Sequence, residues 1–277
     1  MDYTKQPLLY KIKKAYRYIM LYGVERTFSK ANAQYHMQKK YDELPVIEKT
    51  NSKAHIGILG CGKFSYSNIA YYVKKNYGNV ISGCMDIDIN HAASLFEKYK
   101  LNYYTQDPQE IIKDSNIDLV FIASNHASHA EYAIDAIKMG KAVHIEKPHA
   151  VSVEQLVRLC SAIEDHNGKV RLGFNRPNST LGKLVAKSLE QEEGATMLNW
   201  FVAGHEIEPD HWYFADKEGG RILGNLCHWT DLILQMIPKD GRFPIKIVPT
   251  RSDKSDCDIS VSFVFGDQSI GTITFSA

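Results

Sequence analysis

Between His55 and Leu172, short and almost wholly apolar runs take turns with longer segments in which apolar residues return every three or four positions. The runs "HIGILG", "NVISGCM", "IDLVFIAS", "AVHIE" and "VRLGF" read as strands. The segments "SNIAYYVKKNYG", "NHAASLFEKYK", "DPQEIIKDS", "SHAEYAIDAIKMG" and "SVEQLVRLCSAIEDHNG" read as helices, with Gly78 and Gly140 as stops for the first and fourth. Strands apolar on both faces and separated by helices predict a doubly wound parallel sheet, covered on both sides. After "VRLGF" this alternation ends. From about Thr196 the strands lengthen, and "DISVSFVFGDQSIGTITFSA" alternates with period two around Gly266, the pattern of a hairpin.

The first fifty residues have another texture. In "LLYKIKKAYRYIMLYG", Leu9, Ile12, Tyr16 and Ile19 recur at three- and four-residue steps while Lys11, Lys13, Lys14 and Arg17 fall mostly between them, which predicts an amphipathic helix stopping at Gly23. A second helix is expected over "VERTFSKANAQYHMQKKY", and "DELPVIEKTNSK" reads as a linker. The chain is thus expected to comprise a helical extension with linker at 1–50, an α/β domain at 51–175, and an α+β domain with a mostly antiparallel open sheet at 176–277. The extension has two readings. Packing on the core or on a partner subunit is favoured; a peripheral contact of the basic helix with an anionic membrane surface is the alternative.

Charge and cysteine usage narrow the setting. A formal net charge of +1 over 277 residues argues against a nucleic-acid-binding surface spread over the whole molecule. The five cysteines, Cys61, Cys84, Cys160, Cys227 and Cys257, are far apart, form no CxxC pair and follow no secretory signal, so a reducing, cytoplasmic setting without disulfides or a zinc knuckle is expected. No apolar run approaches the roughly 20 residues of a membrane span.

Candidate chemistry begins where the first strand enters the first helix. In "GILGCGKFS", Gly60, Gly62 and Ser65 form a GxGxxG/A-like arrangement, with Lys63 and Phe64 between them. Gly60 would permit the tight turn, Gly62 would let a pyrophosphate approach the backbone, and a small Ser65 would keep helix and sheet close. Such a turn also has a purely structural explanation, and Asp86 counts against it. Asp86 stands at the end of the second strand, about 20 residues on, where a carboxylate takes hydrogen bonds from an adenosine ribose. It would also repel a 2'-phosphate, which favours NAD over NADP.

The segments "GILGCGKFS", "IDLVFIASNHASHAEYAIDAIKMGKAVHIEKP" and "GFNRP" together resemble the glucose-fructose oxidoreductase, inositol dehydrogenase and MocA (Gfo/Idh/MocA) family, from about residue 54 to 277. The resemblance implies a Rossmann-type NAD-binding domain followed by a substrate domain. It places Lys147 of the EKP signature beside the nicotinamide and the reacting carbinol, with Glu146 setting the lysine's position. A lysine partly removed from water suits proton transfer at a hydroxyl near neutral pH, and Pro148 restricts the residue before it to extended backbone, which helps aim Lys147. Ser124, Asn125, His126 and His129 are implied as a loop over the nicotinamide ribose. Their HxxH spacing invites a metal reading, but no third ligand is apparent and none is expected.

In "DHWYFADKEGGRILGNLCHWTDLI" the resemblance makes His228 a second catalytic candidate. Where many members carry an aspartate four residues earlier, this chain has Gly224, followed by Asn225, which can bond a sugar hydroxyl but cannot act as a base. Asn175, Arg176 and His211 join Asn225 as substrate-binding candidates; His205 and Asp231 are left open. The wording resembles a subgroup associated with surface polysaccharide gene sets. The expectation is an NAD(H)-dependent oxidoreductase acting on a carbinol carbon of a sugar or nucleotide sugar, in surface polysaccharide biosynthesis and as a homo-oligomer. A catalytically weak dinucleotide-binding sensor or scaffold of the same fold is the alternative. The chain ends inside an apparent strand, so either the substrate domain is abbreviated or the chain is truncated.

Overall fold

The computed structural model describes residues 5–47, 53–190, 194–204, 207–208, 210–251 and 257–276. The chain forms two compact units, Met1–Leu172 and Gly173–Ala277. The first opens with α1 (Leu8–Tyr22) and α2 (Val24–His36), and Gly23, at a φ of 83°, both ends one helix and begins the next. The second helix stops at His36, short of the expected Tyr41, because the following residues turn toward a later helix, α4 (Ile89–Tyr99). Lys39 Nζ lies 2.5 Å from Glu97, Lys40 Nζ lies 2.8 Å from Asp88, and the Tyr41 N–H donates to Asn90 Oδ1 at 3.0 Å. These contacts outweigh the helical preference of the sequence.

The parallel sheet follows. Its strands are β1 (Ile56–Leu59), β2 (Ile81–Met85), β3 (Tyr103–Thr105), β4 (Leu119–Ile122), β5 (Ala142–Ile145) and β6 (Val170–Leu172), in the order β3-β2-β1-β4-β5-β6. A π-turn over Ser65–Ile69 leads into α3 (Ala70–Tyr77); α5 (Pro108–Ile112), α6 (His126–Lys138) and α7 (Val153–Asp165) make the remaining crossovers. Helix starts are set by side-chain caps: Asp88, Asp107 and Ser152 accept from the backbone of Asn90, Gln109 and Gln155. Every residue of β1 and β2 is buried. One face packs Ile58, Leu95 and Phe96, the other Leu59, Ile122 and Ile137. Each such side chain contributes roughly 1.5–3 kcal/mol by leaving water. The edge strand β3 escaped the sequence pattern because Tyr103–Thr105 is short and its two tyrosines and threonine form no aliphatic run.

The second unit contains α8 (Thr180–Leu189), β7 (Met197–Ala203), α9 (Cys227–Met236), β8 (Lys246–Arg251), β9 (Asp258–Val264) and β10 (Ile270–Ser276). Its sheet has the order β7-β10-β9-β8. The expected hairpin is β9 against β10, antiparallel with Val264 opposite Ile270; β8 is antiparallel to β9, and β7 joins β10 in parallel. Alternate residues of β9 and β10 are buried, and Val202, Leu226, Ile233, Ile259, Ile273 and Phe275 build this unit's core. α8 was not anticipated, because Gly182 interrupts its periodic stretch; there the glycine lets the helix approach the Arg176 and Pro177 carbonyls.

Candidate functional site

Hydrogen bonds carry the parallel ladder one residue past the strand ends. Gly60 N donates to Met85 O at 2.8 Å, Ala123 N to Leu59 O at 2.8 Å, and Glu146 N to Ile122 O at 2.9 Å. This brings Gly60, Asp86, Ser124 and Glu146 to the carboxyl edge of one sheet. The strand order changes direction between β1 and β4, the place where open α/β sheets leave a crevice for ligands.

The two loop glycines do different jobs. Gly60 has a φ of 92°, and a Cβ there would stand 2.5 Å from Ser124 N and 2.6 Å from Ala123 O. Only glycine fits that turn. A Cβ on Gly62 would meet nothing within 4 Å, so the space beside its Cα is open. Such a backbone suits the approach of a phosphate. The Ser65 hydroxyl, fully buried, donates to Gly60 O at 2.5 Å and closes the loop, while Lys63 and Phe64 are exposed.

Asp86 ties the end of β2 to this turn. Its Oδ2 accepts from Cys61 N at 2.7 Å and its Oδ1 from Asp88 N at 2.9 Å. A carboxylate oxygen accepts more than one donor, so these bonds fix the group without exhausting it. His91 Nδ1 lies 3.7 Å from Asp86 Oδ1, and the neighbouring Asp86 carboxylate raises the imidazole pKa.

The N-terminal extension also enters the site, a contact with no signal in the sequence. His36, 3% exposed, brings Nε2 to 2.6 Å from the Cys61 carbonyl, between the two loop glycines, and its ring stacks on Tyr66 at 4.3 Å. Burial lowers its pKa to about 4. The ring is therefore neutral at pH 7, and the nitrogen facing a carbonyl must be the one that carries the proton.

On the other side of the crevice, Lys147 follows β5, is half-buried, and is joined to Pro148 by a cis peptide bond. Glu146 Oε1 lies 3.3 Å from His144 Nε2. His129, 1% exposed, places Nδ1 2.7 Å from Pro148 O and Nε2 3.1 Å from Ser124 O, so one α6 ring grips both the lysine turn and the preceding loop. Burial lowers its pKa. Asn125 caps α6 and is exposed, and Ser124 Oγ is 2.7 Å from Ser128 Oγ. His126 and His129 lie beneath the loop they were expected to line, and His126 is likewise buried.

In the second unit, the Arg176 guanidinium sits 4.5 Å from the Trp229 ring centroid, and burial lowers its pKa. The His228 ring meets Phe174 edge-on at 6.0 Å. Asn225 lies in a π-turn, Ile222–Leu226, that leads into α9; its Oδ1 is buried and has no hydrogen-bond partner among the described residues. Gly224 is buried, and burial raises the Asp231 pKa. Asn175 is exposed. His211 caps the short turn Trp212–Phe214, its Nδ1 accepting from Tyr213 N at 3.3 Å. His205 lies outside the described residues.

Residues 54–174 match GFO_IDH_MocA, an oxidoreductase family with an NAD-binding Rossmann fold. The inositol 2-dehydrogenase of Burkholderia cenocepacia is 32% identical over 187 residues, 67% of this chain and 55% of that protein. The chain spans about half the length of the curated relatives it matches. Among solved structures, the aldose-aldose oxidoreductase from Caulobacter crescentus, complexed with glycerol, has a TM-score of 0.72 at 15% identity, covering 81% of this chain and 71% of that one. The myo-inositol dehydrogenase from Lactobacillus casei, in complex with NAD(H) and myo-inositol, has a TM-score of 0.66 at 17% identity, covering 80% and 66%. These two likenesses are of fold.

Proposed function

We propose, because this chain belongs through residues 54–174 to the GFO_IDH_MocA oxidoreductase family, that it transfers hydride between NAD(H) and a carbinol carbon of a sugar or cyclitol. The observation that carries this reading is the alignment of the Gly60–Gly62 turn, Asp86 and the Glu146–Lys147 pair along one carboxyl edge of one sheet. The loop fits a dinucleotide: a tight turn, open space beside Gly62, and a fixed carboxylate 2.7 Å from the Cys61 amide. Gly60, Gly62, Lys63 and Phe64 would hold the pyrophosphate, with the buried Ser65 bracing the turn from beneath rather than touching the ligand, Asp86 the adenosine ribose, and Ser124 and Asn125 the other ribose. The bound cofactor supplies the hydride acceptor or donor.

Lys147 then does the proton work. In the oxidative direction its neutral amine takes the hydroxyl proton as hydride leaves the carbon for the cofactor, and in the reductive direction the resulting ammonium returns that proton to the carbonyl oxygen as hydride arrives. His129 holds the Pro148 carbonyl and so fixes the turn on which the lysine sits. Glu146 limits the lysine's range and is itself held by His144. Arg176, Asn225 and His228 carry sugar-hydroxyl recognition in this reading, with His228 as a second acid or base.

The inositol 2-dehydrogenases among the relatives support a polyhydroxylated ring as substrate. A nucleotide sugar of surface polysaccharide synthesis, handled in the cytoplasm by a homo-oligomer, is the narrower form, supported by the wording of "GGRILG" and "CHWTDL". The test is a fluorescence titration with NADH and NADPH, followed by a panel of inositols, sugars, nucleotide sugars and their keto forms. NADH binding with turnover of one panel member is the expected result. Binding without turnover across the panel would favour a dinucleotide-binding sensor, motivated by Gly224 in the expected aspartate position. No binding would overturn the reading.

A further inference from the structure

α1 is oriented the wrong way round for a helix of a water-soluble protein. None of its residues is buried. Its polar side faces α2: Lys11, Lys14 and Tyr18 line a cavity of about 280 Å³ with Lys30, Gln34 and Tyr35. At about 100° per residue, Leu8, Leu9, Ile12, Tyr16, Ile19 and Met20 share an arc of roughly 120° on the opposite side. Of these, Leu8 is 73% exposed, Leu9 66%, Ile12 54%, Tyr16 66% and Met20 70%. A helix on a globular core turns its apolar stripe inward and its charges outward; this one does the reverse, and a continuous exposed apolar face marks an interaction surface.

Charge selects the occupant. Lys13 and Arg17 border the apolar arc, α1 carries Lys11 and Lys14 as well, and no Asp or Glu occurs from Tyr3 to Val24. A second copy of α1 laid on this face would bring Lys13 and Arg17 against their own counterparts, with no acid on either helix to answer them. An anionic bilayer answers both features, since apolar side chains enter the acyl boundary while lysine and arginine reach up to phosphates. Among the described residues no helix is long and apolar enough to cross a membrane, which leaves α1 the geometry of one lying in the surface.

We propose that α1 is an interfacial anchor that holds this protein on an anionic phospholipid bilayer, with Leu8, Leu9, Ile12, Tyr16 and Met20 inserted and Lys13 and Arg17 at the headgroups. The experiment is flotation of the full chain with vesicles of phosphatidylcholine alone and with phosphatidylglycerol added. The expected result is binding to the anionic vesicles, little to the neutral ones, and release by high salt. Lys13→Gln with Arg17→Gln should weaken binding by roughly 20–30-fold, at about fivefold per charge. Ile12→Glu with Tyr16→Glu should abolish it. Both pairs alter exposed positions, and an unchanged melting temperature of the variants verifies that they fold. Absence of binding, or equal binding to neutral and anionic vesicles, overturns the proposal. So does a dimer by sedimentation equilibrium that Ile12→Glu dissociates, because the face would then belong to a second copy.

Discussion

Asp86 and the loop glycines were legible because each sits at a fixed spacing from a strand end, whereas Lys147 was singled out by the resemblance of its EKP stretch. His36 and His129 were not legible in that way. Both act through backbone carbonyls, of Cys61 and of Pro148, that lie far from them in sequence, and no local pattern encodes such a contact. If Lys147 works only at the reacting centre, Lys147→Ala lowers turnover by about 10²–10⁴-fold while NADH affinity stays within about twofold; stopped-flow and fluorescence titration read the two separately. A matching loss of NADH affinity would make the residue structural. Asp86→Ala releases the Cys61 amide and removes the negative charge, so NADH binds more weakly and the preference for NADH over NADPH falls. Paired titrations measure that ratio, and an unchanged ratio would remove the carboxylate from cofactor choice.

At the scale of elements, α2 is the least expected participant. Periodicity identified it as a helix, but its end was set by contacts with α4, and its last residue braces the glycine turn. His36→Ala should loosen the Cys61 carbonyl and weaken NADH binding by about 5–10-fold, the worth of one hydrogen bond, with turnover at saturating cofactor unchanged. The same histidine predicts a response to acid. His36, His129 and His149 all have pKa values lowered by burial, so the unfolded chain binds more protons than the folded one below about 6.5. The stability they confer is present above that pH and is lost as pH falls, for His36 down to about 4. His91, raised by Asp86, opposes them, since its contribution is present at low pH and lost as pH rises. Thermal melts from pH 8 to 5 should therefore show a falling midpoint, with a shallower slope in His36→Phe. An equal slope would mean that the His36 ring is already charged or exposed. Elements hidden from the pattern were those too short, as β3, or broken by a glycine with a packing role, as α8.

For the whole molecule, the change from apolar runs to period-two alternation foretold both sheets, because covered and half-covered strands differ in composition. The parallel pairing of β7 with β10 could not be foretold, since strand order joins residues that no local window contains. Each unit holds its own apolar cluster, with Val202 to Phe275 in the second and the sheet-flanking groups in the first. A fragment ending at Leu172 should therefore unfold cooperatively by circular dichroism and bind NADH without catalysing turnover. A fragment without a melting transition would show that the first core needs the rest of the chain.

The strand order β3-β2-β1-β4-β5-β6 also governs how the protein is made. Translation releases β1 and β2 together, but β4, the other neighbour of β1, arrives only when Leu119–Ile122 clears the ribosome. Until then the strand destined for the centre of the sheet is a bare edge of Ile-Gly-Ile-Leu, with no charge to deter pairing with another nascent chain. A ribosome that stalls after Met85 has emerged but before Ile122 has done so holds the polypeptide in that vulnerable window. Once Ile122 has cleared the ribosome, β4 closes the centre.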